Sequence, residues 1–419
     1  MRPVAMIKPF MDCLMSRGIA TEWGTPTFVY CEDLLREAAG KACDTLPTEG
    51  LTVRYAMKAN PVKAVLRLFD AMGLHIDASS GFEASRAMKA GVEPGRILLT
   101  TQELPNNLGE LIGKGVAFDA CSLRQLEVYG MTFRGSDVGL RINPGFGNGH
   151  SRGTTVGGPY APFGIWHEEL GEARRIAESH GLTVKRIHLH IGSGSDAVTA
   201  YRASRFGVEM LSLFSEVAVL NLGGGFPVDR MTGEQDSGIR EAVRRYAIDL
   251  SVFRRDTGRH IRLEIEPGAY LVANAGILLA TVKDVKRAGS RKFIIIDSGM
   301  TEIMRPAFYG ALHPIWICPP QMIGHGRARY TVVGHCCESS DLITTRKRAG
   351  SVPVTRELPL ASVGDLMLIG GVGAYCDSMS AKNYNSFPEA AEVMVDLDGK
   401  PRLIRRRQTL EQMTQNELP

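Results

Sequence analysis

A chain of 419 residues, 44% hydrophobic and 22% charged, has the length and composition of about two globular domains, each with its own core. Its 49 basic and 45 acidic residues nearly cancel, to a formal +4, and no basic block interleaved with aromatics stands out, which argues against a nucleic-acid partner. The longest apolar run, residues 270–282, is too short to span a bilayer and contains Asn274, which argues against a membrane partner.

The N-terminus shows neither a clean apolar core nor a small-residue cleavage site, so no export signal is expected. Residues 25–30 (TPTFVY) read as a short strand, and 31–46 as a helix with Leu34, Leu35, Ala38, Ala39 and Ala42 at helical spacing. A unit then recurs: a β-rich run, a polar or glycine loop, a helical stretch. The candidate strands are 52–57, 74–78, 97–100, 115–119, 138–142, 185–191, 216–222 and 261–265. Amphipathic stretches lie between them, among them 166–180, ending at Gly181, and 238–253. Eight strands alternating with helices predict an α/β fold, a (β/α)8 barrel resembling the TIM barrel. An open doubly wound sheet is the alternative, usually with fewer strands.

Past residue 280 helical spacing fades. Short strands follow at 292–297, 329–334, 366–370, 391–396 and 402–405, predicting a mostly β domain, a sandwich or small barrel. The expected division is a barrel of residues 35–280 and a β domain of 1–34 and 281–419, completed by the N-terminal strand. The eight cysteines, at 13, 31, 43, 121, 318, 336, 337 and 376, form no C-x-x-C pair, and no His/Cys group has zinc spacing. Free thiols, a reducing cytoplasmic compartment and no metal are expected.

Active sites of such barrels lie at the C-terminal ends of the strands. Here those ends carry Lys58, Asp77, Thr100, Asp119, Arg141, His190, the glycines after Leu222, and Glu266. Each alone reads equally well as a strand cap or turn residue. Lys58 ends the first strand just before Pro61, and an amine held there suits an imine with a carbonyl, often that of pyridoxal phosphate. Gly223-Gly224-Gly225 is a phosphate cradle or a tight turn. His188 and His190 share one face of their strand; a metal there lacks a third ligand, and an imidazole stacked on a flat ring, with Ser193 or Ser195 reaching a phosphate, fits better. Glu266 either faces a pyridine nitrogen or pairs with an arginine. In the β domain, Cys336-Cys337-Glu338 and Gly373-Ala374-Tyr375 place thiols, a carboxylate and a phenol at strand ends.

The series YAMKAN, RINPGFGNGHS, HLHIGSGSD, NLGGGFPV, EIEPGAYLVANAG, DSGMTEIMRPAFYGALHPI, CCESSD, GAYCDSMSAKNYNS and LIRRRQTLEQ resembles the fold-type III, pyridoxal-phosphate-dependent basic amino acid decarboxylases. Within them it is most similar to the diaminopimelate decarboxylases, over residues 25 to the end. The resemblance implies pyridoxal 5'-phosphate as cofactor and loss of CO2 from meso-2,6-diaminopimelate to give L-lysine, the last step of bacterial lysine biosynthesis. It implies Lys58 as the imine lysine and Cys337 as a second catalytic residue. Asp77, Glu83 and Arg141 line the cofactor pocket, His190 stacks on the ring, and Glu266 meets its nitrogen. Ser193, Gly224, Gly225, Gly268 and Tyr375 hold the phosphate. Arg305, Tyr309, Glu338 and Tyr375 bind substrate, and Cys337 and Glu338 serve the neighbouring subunit of a homodimer. Two positions depart from the family: Ala269 and Phe387 stand where arginines are common. Arg152 in the glycine-rich segment 143–164 is a candidate replacement cation. The alternatives are a decarboxylase of ornithine, lysine, arginine or carboxynorspermidine, and a non-catalytic cofactor-binding homologue.

Overall fold

The computed structural model describes residues 13–45, 50–149, 152–194, 196–231, 238–318, 326–347 and 349–419. The chain forms two compact units: one of residues 36–228 and 236–271, the other of 1–35, 229–235 and 272–419.

The first unit is a closed parallel barrel. Its strands are Leu51–Ala56, His75–Ala78, Ile97–Thr100, Ala117–Ala120, Asp137–Asn143, Thr183–Leu189, Val219–Asn221 and Arg262–Ile265. Each pairs with the next, and Arg262–Ile265 also pairs with Leu51–Ala56, which closes the ring. All eight expected strands are present, with ends displaced by up to three residues. Ile165–Trp166 adds a short extra strand beside Asp137–Asn143. The helices start where the sequence supplies caps. Ser80 and Ser122 accept the backbone N–H of Glu83 and Gln125, each contact worth about 1 kcal/mol. Helix Gly81–Ala90 buries Ala84, Ala87 and Ala90 and stops at Gly91, whose φ of 104° is open to glycine. Helix Ile239–Thr257 buries Ile239, Val243, Tyr246, Leu250 and Phe253, one stripe at helical spacing.

The second unit is mostly β. Its sheet runs Arg356–Pro359, Arg327–Val333, Arg291–Ile296, Gly276–Ala288, Thr27–Cys31, Ala391–Val395, Pro401–Arg405, with Leu366–Gly370 joining Gly276–Ala288 to Ile315–Cys318. The N-terminal strand is therefore internal, antiparallel to Gly276–Ala288 and parallel to Ala391–Val395. Gly276–Ala288 starts before the expected boundary at 280. Its first half is buried on both faces, so the period-two alternation that marks a half-buried strand is missing.

Six cysteines are unbonded, but Cys13 and Cys318 form a disulfide. The expectation of free thiols throughout is corrected there. Helix Cys13–Trp23 packs on the sheet core, where Ile19 meets Val29, Leu279 and Cys318, and a pairing across 305 residues leaves no trace in cysteine spacing. No helix among the described residues is long and apolar enough to cross a membrane.

Candidate active site

The barrel brings Lys58, Asp77, Glu83, His188, His190, the Gly223–Gly225 loop and Glu266 together at one end. Lys58 lies in the single 3-10 turn Met57–Ala59, directly after strand Leu51–Ala56. The turn is locked on its far side: Asn60 N–H donates to Met57 O, Asn60 O accepts from Tyr55 Oη at 2.9 Å, and Asn60 Oδ1 accepts Val62 N–H at 3.2 Å. Lys58 Nζ then reaches Ser79 Oγ at 3.3 Å and lies 3.7 Å from Asp77 Oδ2, with its side chain 39% exposed. Asp77 is buried, and its Oδ1 meets no hydrogen-bond donor among the described residues. Burial, reinforced by Glu266, pushes the Asp77 carboxyl up, against the pull of Lys58. Glu83 is raised by burial too, and accepts Ser79 N–H at 2.7 Å.

His190 keeps a neutral ring. Burial, then Arg141 and Lys58, hold it well below its usual value, and its Nδ1 accepts Gly224 N–H at 3.3 Å. Two residues earlier on the same face, His188 has Asp119 Oδ2 3.1 Å from Nδ1 and Glu266 Oε2 3.3 Å from Nε2. Asn221 Nδ2 donates to Glu266 Oε1 at 2.6 Å. Burial works against the Glu266 carboxylate, but His188 outweighs it and holds the group far below the carboxylate range. A Cβ on Gly224 would overlap Glu266 O, and one on Gly225 would overlap Gly192 O. The glycines are therefore demanded by close backbone approach between adjacent loops. Arg141 has its guanidinium 5.4 Å from the Phe163 ring. Ser193 N–H donates to Thr154 O, and Gly268 O accepts Leu271 N–H. Ser195 lies outside the described residues.

A layer of charge lies in the same lumen that sequence reading missed. Arg54 grips Glu264 with Nε and Nη2 at 2.9 and 2.8 Å, and Arg186 links Glu264 to Asp119 at 3.0 and 3.1 Å. Its one sequence signal is alternation: Arg54 and Ala56, Arg186 and His188, and Glu264 and Glu266 each share a face. Among the described residues no group of three His, Cys, Asp or Glu side chains could hold a metal ion.

In the β unit, Arg305 is buried at the start of helix Arg305–Tyr309. Its Nη1 lies 3.2 Å from His313 Nε2, whose Nδ1 donates to Gly370 O at 2.9 Å. That bond fixes the tautomer, so Nε2 accepts from Arg305. Burial, then Arg305 and Arg230, hold His313 well below its usual value, consistent with a neutral ring. Tyr309 Oη donates to Met379 Sδ at 3.8 Å. Tyr375 takes a φ of 56°, a left-handed conformation rare outside glycine. Cys337 and Glu338 are exposed on a loop pinned by Asp341, whose carboxylate accepts Met300 N–H at 2.7 Å and Cys336 N–H at 2.9 Å. Asn385 Oδ1 accepts Cys337 N–H at 3.0 Å. Phe387 stacks on His335 with centroids 3.5 Å apart and planes 6° apart.

The barrel groups suit a flat heteroaromatic aldehyde: an amine for its carbonyl, a neutral imidazole for its face, a carboxylate for a ring nitrogen. The buried Asp77 oxygen without a donor marks the place where one is wanted.

The family model for the pyridoxal-binding domain of pyridoxal-dependent decarboxylases matches residues 33–273. The diaminopimelate decarboxylase of Escherichia coli K12 is 36% identical over 411 residues, covering 96% of this chain and 95% of that one. A crystal structure of diaminopimelate decarboxylase superposes with a TM-score of 0.92 at 33% identity, covering 99% of each chain. The diaminopimelate decarboxylase of M. jannaschii in co-complex with L-lysine gives 0.83 at 28% identity, over 96% of this chain and 94% of that one.

Proposed function

The chain belongs to the pyridoxal-dependent decarboxylases, and from that premise we propose that it decarboxylates meso-2,6-diaminopimelate at its D-centre to L-lysine and CO2. The observation that carries the chemistry is Lys58 Nζ beside Asp77 at the barrel mouth, with Glu266 held ionised and His190 held neutral. Pyridoxal 5'-phosphate supplies the carbonyl that takes the substrate amine and the electron sink that accepts the bond pair released with CO2. Lys58 Nζ would be its attachment point and would supply the proton that replaces the carboxylate at Cα, Cys337 Sγ being the other candidate donor. Asp77 Oδ2 takes up and returns the Lys58 proton. The His190 ring would stack on the cofactor and the Glu266 carboxylate would keep its ring nitrogen protonated. Glu83 and Arg141 would line the pocket, and Ser193, Gly224, Gly225, Gly268 and Tyr375 would hold the phosphate.

Arg305 and Tyr309 bind the distal carboxylate that separates this substrate from a simple diamino acid. A guanidinium preset by His313 suits a bidentate grip. Arg305→Met is expected to raise KM for meso-diaminopimelate by about a hundredfold, the scale of two charge-assisted hydrogen bonds. The absorbance of the bound cofactor should not change; if it does, the residue serves the cofactor instead.

The exposure of Cys337 and Glu338 supports a homodimer in which each chain completes its neighbour's site. Mixing Lys58→Ala with Glu338→Ala chains should then restore about a quarter of wild-type activity, since half the dimers are mixed and each has one intact site. A mixture as inactive as its components would refute the sharing. We place the chain in the cytoplasm on its six unbonded cysteines, although the Cys13–Cys318 disulfide points the other way.

Ala269 favours a second reading, a decarboxylase of another basic amino acid. Arg152, the candidate substitute, has no described side chain. Release of CO2 and lysine from meso-diaminopimelate, run beside ornithine, lysine, arginine and carboxynorspermidine, separates the two. Turnover of one of those four and none of meso-diaminopimelate would overturn the proposal.

A further inference from the structure

Glu266 is not alone in the lumen, and the groups behind it form an ordered line. We propose that His188 is a positioning residue for Glu266: it carries the positive charge between Asp119 and Glu266 and thereby fixes where the ring-binding carboxylate points. The inference rests on the reading above, in which Glu266 meets the cofactor's ring nitrogen.

Geometry favours the charge. Nδ1 is hydrogen-bonded to Asp119 Oδ2 at 3.1 Å, and Nε2 lies in ion-pair range of Glu266 Oε2, at 3.3 Å. Asp119 takes the Nδ1 proton, so in the neutral ring Nε2 would turn a lone pair toward the Glu266 carboxylate; the imidazolium removes that clash. The count of neighbours agrees. Arg54 and Arg186 are two cations against the three acids Glu264, Asp119 and Glu266, and a charged His188 closes the balance. Burial disfavours the imidazolium, yet Glu266 and Asp119 outweigh it and raise His188 to about 9. Further charged or titratable neighbours are His190, just past the end of its strand, Asp77, and Arg141, which stands in register with His188 on the adjacent strand; Lys58 acts on Glu266 and His190.

Space has been made for this line. A Cβ on Gly139 would overlap Asp119 Oδ1, although Gly139 has no unusual φ. Strand Asp137–Asn143 gives up a side chain so that Asp119, wholly buried, can lie in the lumen. Asn221 closes the grip from the other side, donating to Glu266 Oε1. Glu266 is thus addressed from two strands, by the Asn221 hydrogen bond at Oε1 and by the His188 charge beside Oε2.

The experiment has two readouts. In the holoenzyme, the pH-dependent absorbance transition of the bound cofactor is followed in wild type, His188→Gln, Gly139→Ala and the control His180→Gln. Loss of a nearby positive charge favours protonation, so the transition should move to higher pH by at least about one unit in His188→Gln. Gly139→Ala, which alters no charged residue, should move it the same way by displacing Asp119. His180→Gln, at a histidine paired with Glu127, should leave it in place. A transition unmoved in His188→Gln while the melting temperature falls makes the residue a structural strut and overturns the inference. Independently of cofactor and variants, ring-nitrogen NMR of labelled wild-type apoprotein should show His188 protonated on both nitrogens at pH 7.5. A neutral ring there overturns the inference even if the activity is confirmed. A holoenzyme without a cofactor band overturns the functional reading, whatever the NMR result.

Discussion

Lys58→Ala is expected to lower kcat by at least about a thousandfold and to remove the long-wavelength absorbance of the bound cofactor. One amine performs two tasks, covalent attachment and proton delivery, and positioned proton transfer alone is worth about 10² to 10⁴. The turn that presents it is rigid, because Asn60 closes it with three hydrogen bonds. No neighbouring lysine can take over at that strand end: Lys63 is the next in the chain, already in the following helix. Ser79→Ala, which removes only the hydroxyl 3.3 Å from Nζ, should cost far less. Steady-state assay and absorbance decide it, and an alanine variant retaining a tenth of wild-type turnover would remove Lys58 from the centre of the mechanism.

Glu264→Leu should be the most damaging change to stability. Glu264 is buried and takes a two-pronged grip from Arg54 and a third contact from Arg186. Removing the carboxylate strands the Arg54 guanidinium in the barrel lumen and leaves Arg186 with Asp119 alone, a cost of about 3–5 kcal/mol against a typical total of about 5–15. The same carboxylate makes stability depend on pH. Burial raises its titration point, but Arg54 and Arg186 outweigh burial and lower it from 4.5 to about 2. A depressed carboxyl contributes stability that is fully present above its unfolded value, and is lost as pH falls from there through about 2. Urea unfolding at pH 7 and at pH 3 measures both effects. A loss under 1 kcal/mol in the variant would mean the arginines find other partners.

Much of this was legible in the sequence, for a physical reason. Each barrel strand is a short apolar run ending in a polar residue or glycine, and the barrel brings those ends together. Lys58, Asp77, His190 and Glu266 could therefore be placed from local pattern. Arg54 and Glu264 could not be paired, because they are 210 residues apart and meet only when the ring closes. Gly139 gave no signal at all, since its role is a missing atom beside Asp119. Phe387 was visible as the loss of an arginine, but its stack on His335 depends on how a distant strand end is placed. Strand Gly276–Ala288 was hidden by burial on both faces, and the Cys13–Cys318 bond by sequence distance.

The internal place of strand Thr27–Cys31 has a consequence for biosynthesis. All five of its residues are buried, and one of its two neighbours, Ala391–Val395, is translated near the very end. On the ribosome this apolar strand waits with both edges unpaired while every barrel residue is made and can fold, and one edge stays open until Ala391–Val395 follows. An open β edge held that long invites pairing with another nascent chain. Yield in a foreign host should therefore be limited by the handling of strand Thr27–Cys31, and slower translation of the barrel would lengthen the exposure.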